Sequence, residues 1–276
     1  MRIYHWVSIH SSEVVFFEVI KKLQINYKKA GHGGDKGWLI SFGINESDPE
    51  WVEIEPLIRE HKPVDRCETF FTNEEVLSAE YLRMIITYEH RYPQPESTWS
   101  VSHDNYEILC PKCHRFEQVE NFQIKKEPVM KKNDFLTLIW TNAAFCTEEV
   151  LRILKKEQIT GFEVRDVEIF KTTEKSKVIH QIYVPETAKP GLITHDGIQG
   201  VECSMCGVKR YPSHIRGVMG MKREALRNDL DMQRSAEWYG SGGTAYKEYF
   251  VSNRFVRLAL ENGWKGIRFK VVELID

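Results

Sequence analysis

Two stretches decide how this chain can be organised: ILCPKCHRFE at residues 108–117 and VECSMCGVKRY at 201–211. They hold Cys110, Cys113, Cys203 and Cys206, four of the six cysteines in the sequence. A CxxC turn brings two sulfurs close enough to chelate one metal ion. Two such turns supply a tetrahedral all-thiolate site with Zn–S near ~2.3 Å. Lys112, Arg115, Lys209 and Arg210 flank the pairs, where they offset the negative charge that four thiolates leave around a divalent cation. Pro111 and Gly207 are residues suited to tight sulfur-bearing turns.

A redox reading needs a CxxC that opens a helix behind a buried strand, with a depressed thiolate pKa. HRFEQVENFQIKK (114–126) lacks an apolar helical stripe, and Pro212 soon follows the second pair. The residues therefore point to one structural zinc held by Cys110, Cys113, Cys203 and Cys206, with iron open as the alternative metal. Of the other cysteines, Cys146 sits in the apolar run Ala143-Ala144-Phe145 and reads as a small buried hydrophobe, whereas Cys67 beside Arg66 carries no reading.

The distance between the pairs calls for an explanation, because an ordinary zinc ribbon separates them by roughly 15–20 residues. FCTEEVLRILKKEQITGFEVRDVEIF (145–170) aligns without a gap on FVSNRFVRLALENGWKGIRFKVVELI (250–275). Phe145, Arg152, Gly161, Val167 and Glu168 recur as Phe250, Arg257, Gly266, Val272 and Glu273. Thr147 and Ser252 stand where a helix needs an N-cap oxygen, and Gly161 and Gly266 where it needs a residue tolerant of positive φ to stop. Val150, Leu151 and Leu154 are echoed by Phe255, Val256 and Ala259 on one helical face. LTLIW (136–140) and YKEYFV (246–251) supply a strand before each cap. The expected fold is α+β. Two related strand-helix-strand units, near 135–184 and 246–276, are joined by a split four-cysteine zinc ribbon and form a domain at 105–276.

The preceding segment, 1–104, reads as α/β. Phe16, Val19, Ile20 and Leu23 form a helical stripe after Ser11, and WLISFGI (38–44) reads as a strand. Asp48-Pro49 offers an N-cap and a first-turn proline for a short helix that Pro56 should interrupt or restart. Thr72 to Glu75 forms a capping box for a helix from Asn73 carrying Leu77, Tyr81 and Met84 on one face. RYPQPEST (91–98) marks the expected internal boundary.

A chain of 276 residues with 42% hydrophobic and 28% charged residues is an ordinary globular sequence. Its net charge of −2 gives no overall cationic footprint for nucleic acid or anionic lipid. It has no apolar run near the ~18 residues a membrane span requires. MRIYHWVSIHSSEVVFF (1–17) has no secretory pattern, so a cytoplasmic location is expected. His103-Asp104 and His195-Asp196 precede the CxxC pairs and read as loop residues. GHGGDKGW (31–38) and YGSGGTAY (239–246) are glycine-rich without a phosphate-loop pattern. No GxSxG or HExxH occurs, and no catalytic residues are assigned.

With the cysteines and the two units in place, the last 170 or so residues resemble the double-CxxCG motif proteins, classed among bacterial immunity proteins. Only the second pair matches that motif in full, as CSMCG; the first has His114 in place of glycine. The resemblance implies a non-enzymatic protein with structural zinc that neutralises a cognate toxin by binding it. A zinc-ribbon protein acting on nucleic acid is the second expectation. A third is an enzyme with its site around His5, His10 and His32.

Overall fold

The computed structural model describes residues 1–31, 37–96, 105–172, 174–185, 187–194, 199–240 and 244–276. His32, both His-Asp pairs and the central residues of the two glycine-rich loops lie outside them. The chain forms two compact units, Met1–Thr72 with Ile215–Val218, and Asn73–His214 with Met219–Asp276. The division falls ahead of the expected 104–105 boundary because the strand at 81–86 pairs with strands near the carboxy terminus.

The first unit runs β1 (Arg2–His10), α1 (Val14–Lys22), β2 (Tyr27–Ala30), β3 (Leu39–Asn45), α2 (Trp51–His61) and β4 (Val64–Phe70). Its antiparallel sheet has the order β2-β3-β1-β4, the split-βαβ arrangement of ferredoxin-like folds. Alternation along β1 decides which face is covered: Val7 and Ile9 are buried while Trp6 and His10 are exposed. Phe16 and Ile20 of α1 and Ile54 of α2 pack on Val7, Ile9, Ile40, Phe42 and Ile44. Pro56 neither interrupts nor restarts α2, contrary to expectation: the helix runs through it from Trp51 to His61. Its missing N–H leaves the carbonyl of Val52 without a helical partner, and Val52 lies on the exposed side, where water can serve.

The second unit begins with α3 (Asn73–Ser78), shorter than the capping box suggested. Tyr81 and Met84, expected on that helix, lie in β5 (Tyr81–Ile86). The run YLRMII is recruited between β21 (Tyr249–Ser252) and β22 (Ile267–Ile275), so tertiary pairing overrides the helical pattern. Together with β15 (Leu192–Ile193), β18 (Met219–Lys222) and β19 (Met232–Arg234), these make a six-stranded sheet, β15-β18-β22-β5-β21-β19. A five-stranded sheet has the order β12-β14-β11-β10-β6. Its strands are β6 (Glu89–His90), β10 (Phe135–Leu138), β11 (Ala144–Thr147), β12 (Glu163–Arg165) and β14 (Ile179–Tyr183). Two further strands, β9 (Gln123–Ile124) and β13 (Glu168–Ile169), pair in parallel.

The ladder register of one sheet recurs in the other. Thr147 faces Ile179 as Ser252 faces Tyr81, and Arg165 faces Gln181 as Lys270 faces Arg83. Phe135 faces Cys146 as Met232 faces Val251. The parallel pairs also correspond: Thr137 with Glu89 and Arg234 with Thr187, then Glu168 with Gln123 and Glu273 with Gly220. After β11 comes α4 (Glu148–Lys156), and after β21 comes α5 (Asn253–Glu261). Thr147 Oγ1 accepts from the Val150 N–H and Ser252 Oγ from the Phe255 N–H, the caps expected from sequence. The buried faces are Val150, Leu151 and Leu154, and Phe255, Val256 and Ala259.

Gly161 and Gly266 do not stop these helices as expected. The helices end at Lys156 and Glu261, and Gln158 (φ 51°) and Gly263 (φ 64°) provide the left-handed turn. Gly161 and Gly266, each at φ 88°, lie further on, at the foot of the next strand. A Cβ on Gly161 would overlap the carbonyl oxygen of Met232, and one on Gly266 that of Phe135. Glycine is required there for both the backbone angle and the close approach of another strand.

Candidate metal centre

Each CxxC sits at the tip of a short antiparallel hairpin. The first joins β7 (Tyr106–Cys110) to β8 (Arg115–Gln118), and the second joins β16 (Val201–Glu202) to β17 (Lys209–Tyr211). Cys203 N–H donates to Val208 O at 3.0 Å and Gly207 N–H to Cys203 O at 2.8 Å, closing the second turn. Gly207 has φ 69°, and His114, at the matching place in the first turn, has φ 53°. The sequence difference between the two motifs thus changes the residue while the backbone geometry persists. A non-glycine residue pays a modest conformational penalty at such an angle.

The hairpins bring Cys110, Cys113, Cys203 and Cys206 into one cluster, with all four sulfurs within 4.8 Å of one another. Cys110 Sγ lies 3.9 Å from Cys203 Sγ, and Cys113 Sγ 3.7 Å from Cys206 Sγ. A tetrahedron with metal–sulfur bonds of ~2.3 Å has edges of about 3.8 Å, so four thiolates in this arrangement could hold a metal ion. A disulfide needs an S–S distance near ~2.05 Å, and all four cysteines are free.

The backbone prepares three of these sulfurs to be thiolates. N–H groups of Cys113 and Lys112 hold Cys110 below the usual thiol range, and those of Met205 and Cys206 do the same for Cys203. The Val208 N–H lowers Cys206. Burial pushes Cys113 up to about 11, aided by the neighbouring sulfurs and opposed by the Arg115 side chain. Four sulfurs this close cannot all ionise without a cation among them. Arg115 reaches Cys113 and Cys206, and its guanidinium stands 5.4 Å from the ring centre of Trp238. Arg210 Nη1 donates to Cys113 O at 3.0 Å, and Lys112 Nζ donates to Ser204 Oγ. These are the basic residues singled out by sequence, apart from Lys209, whose Nζ stands 5.6 Å over the Tyr211 ring.

Neither pair opens a helix, which removes the geometry that activates redox CxxC motifs. Cys146 is fully buried in β11, and burial pushes its thiol far up, as befits a small apolar residue. Cys67 lies half-buried in β4 and reaches the His5 side chain.

The amino-terminal histidines form no catalytic cluster among the described residues. His5 is buried, with Nδ1 at 2.8 Å from Asp65 Oδ2 and Nε2 at 3.0 Å from Glu46 Oε1. Its ring stacks on Trp51 at 4.4 Å. Burial alone would lower its pKa; hydrogen bonds of the ring with Asp65, Cys67 and Glu46 overcome that and raise it to about 10. Arg216 Nε and Nη2 donate to Glu46 at 2.6 and 3.0 Å and complete the ion network. His10, at the far end of β1, is exposed with Nδ1 2.7 Å from Ser12 Oγ. Sequence reasoning had no means to find the His5 network, because Asp65 and Glu46 reach it only through strand register.

The chain matches no protein-family model and no curated protein. Among the described residues no helix is long and apolar enough to cross a membrane.

Proposed function

We propose that the four-cysteine cluster holds one structural zinc ion and that the second unit is an internal duplication stapled by it. The observation that carries the zinc assignment is the closed set of four sulfurs, two from each hairpin. An all-cysteine site leaves no position for substrate or water, which is the mark of a structural centre. Zinc accounts for the donor set without a redox role, and metal analysis distinguishes it from iron.

The duplication is supported by the recurring ladder register. Residues 81–178 and 179–276 form the two copies, each running strand, CxxC hairpin, strand, strand, capped helix, strand. In each copy the first strand, β5 or β14, completes the sheet of the other copy. One sulfur pair from each then meets at the cluster.

The protein acts, in this reading, as a non-enzymatic immunity protein that neutralises a cognate bacterial toxin by direct binding. The double-CxxCG resemblance supports it, and so does an open surface in the first unit. The face of that sheet opposite α1 and α2 carries Tyr4, the exposed Trp6 and Phe70, with Tyr4 and Phe70 packed edge-on to Trp6. Arg2 lies 5.4 Å over Phe70, and Arg66 pairs with Trp6 across the ladder. Tryptophan, tyrosine and arginine are the residues that dominate binding energy at protein interfaces.

Co-expression with the toxic product of the adjacent gene tests the assignment. Rescue of growth and co-purification are expected, with Trp6→Ala reducing both; no rescue and no complex would overturn it. Salt-dependent binding of the purified protein to RNA or DNA would instead favour a nucleic-acid role.

A further inference from the structure

A cleft of about 280 Å³ opens in the second unit, between the first cysteine hairpin, β14 and the segment leading into β21. Trp140, Tyr183, Trp238 and Tyr249 line it, together with two cations, Arg234 and Lys247, and one carboxylate, Glu89. Lys247 Nζ stands 5.2 Å over the Trp238 ring and 3.3 Å from Thr187 Oγ1, with no carboxylate at ion-pair distance among the described residues. Arg234 Nη2 meets Glu117 at 3.2 Å, yet its Nε is buried without a hydrogen-bond partner. Burial, and then the neighbouring Arg234, hold Lys247 below the usual lysine range. Arg234 keeps Glu117 as its partner, whereas the part-buried Lys247 beside it has no paired carboxylate among the described residues, a cost that a bound anion would relieve.

The walls have a second peculiarity. Trp140 takes φ 62° and remains 46% exposed, its ring edge-on to Tyr92 at 5.2 Å. A bulky side chain in the left-handed region is costly, and such strain clusters at ligand sites. Across the cleft, Tyr249 OH donates to Asn142 O at 2.6 Å, and Asn142 Nδ2 donates to Lys247 O. In register Ala144 corresponds to Tyr249: they face Ile182 and Met84, at matching points of the two sheets. At this register point one half has alanine where the other has a tyrosine that lines the cleft, and the lysine beside the cleft also comes from that second half. A seam serving packing alone has no need of the cation.

We propose that this cleft binds a small planar aromatic anion, with its ring against Trp140 and Trp238 and its carboxylate or phosphate directed at Arg234 and Lys247. Aromatic walls supply affinity for a flat ring, and the neighbouring cations select for charge. The site uses none of the four sulfurs, although the first cysteine hairpin forms one of its walls.

Titration calorimetry on the metal-loaded full chain tests this with 4-hydroxybenzoate and phenyl phosphate. The neutral 4-hydroxybenzyl alcohol and inorganic phosphate serve as controls. At least one aromatic anion should bind one per chain with a Kd below about 1 mM, and whichever is tighter identifies the anionic group. The alcohol should bind at least tenfold more weakly, and phosphate alone should not saturate. Lys247→Gln should weaken the anion at least tenfold, and Trp140→Ala should weaken it with an unchanged preference for charge. Lack of saturation by both anions at about 10 mM would overturn the proposal. Equal binding of the alcohol, or unchanged affinity in a folded Lys247→Gln protein, would do the same.

Discussion

Replacing Cys203 by serine removes one of four sulfurs and, in the zinc reading, weakens the metal link between two hairpins whose paired cysteines lie 93 residues apart and which are otherwise joined by the Lys112–Ser204 and Arg210–Cys113 hydrogen bonds. The size of the effect follows from that separation. A cross-link closing a loop of about 90 residues lowers the entropy of the unfolded chain by an amount equivalent to about 4.7 kcal/mol at 25 °C. Metal–ligand bonding adds to this, with structural zinc supplying on the order of 10 kcal/mol in small domains. Three remaining ligands retain part of the bonding, so a loss on the order of 3–5 kcal/mol is expected, a large share of the 5–15 kcal/mol typical of a folded domain. Urea unfolding followed by tryptophan fluorescence, with and without a strong chelator, measures it. Cys203→Ser should lower the midpoint and abolish most of the chelator effect, whereas Cys146→Ser should leave the chelator effect intact. An unchanged midpoint and an unchanged metal content in Cys203→Ser would refute the reasoning.

Further outcomes are expected from the packing and the titratable groups. Gly161→Ala and Gly266→Ala should each destabilise by more than about 2 kcal/mol, because the new methyl meets backbone oxygen, whereas Gly263→Ala should cost only about 1 kcal/mol for its positive φ; denaturant midpoints of the three variants compare them. The buried pair of Arg83 Nη2 and Glu248 Oε1, 2.6 Å apart, should not tolerate Glu248→Leu, with a loss of about 3–5 kcal/mol by the same assay. His5 has its folded pKa raised to about 10, so its contribution is full below about 6.5 and fades as pH rises through 10. His214 is the opposite case: burial, Arg83 and Lys270 lower it to about 4, so stability is lost as pH falls from about 6.5 towards 4. Stability against pH in His5→Gln and His214→Gln should lose the alkaline and the acid slope respectively; unaltered slopes would contradict these assignments.

The local rules that sequence can express were legible. Helical stripes with capping oxygens at Thr147 and Ser252 identified α4 and α5, and the four cysteines were identifiable because CxxC spacing is itself the chelating geometry. What failed depended on distant partners. The capping box at Thr72 was followed by a helical pattern through Met84, yet β5 forms there because two strands from the other end of the chain need a buried neighbour. Gly161 and Gly266 looked like helix stops; the carbonyls of Met232 and Phe135 that demand glycine are contributed by segments far away in sequence. The His5 network was invisible for the same reason. It joins side chains 60 and 41 positions apart through strand pairing.

Metal analysis of the purified full chain by plasma mass spectrometry, with thiol titration on the same sample, tests the central claim most directly. About one zinc per chain is expected, with Cys110, Cys113, Cys203 and Cys206 protected from thiol reagents until the metal is removed, and with loss of zinc in Cys203→Ser. A metal-free protein with four freely titrating thiols and an unchanged fold would contradict it.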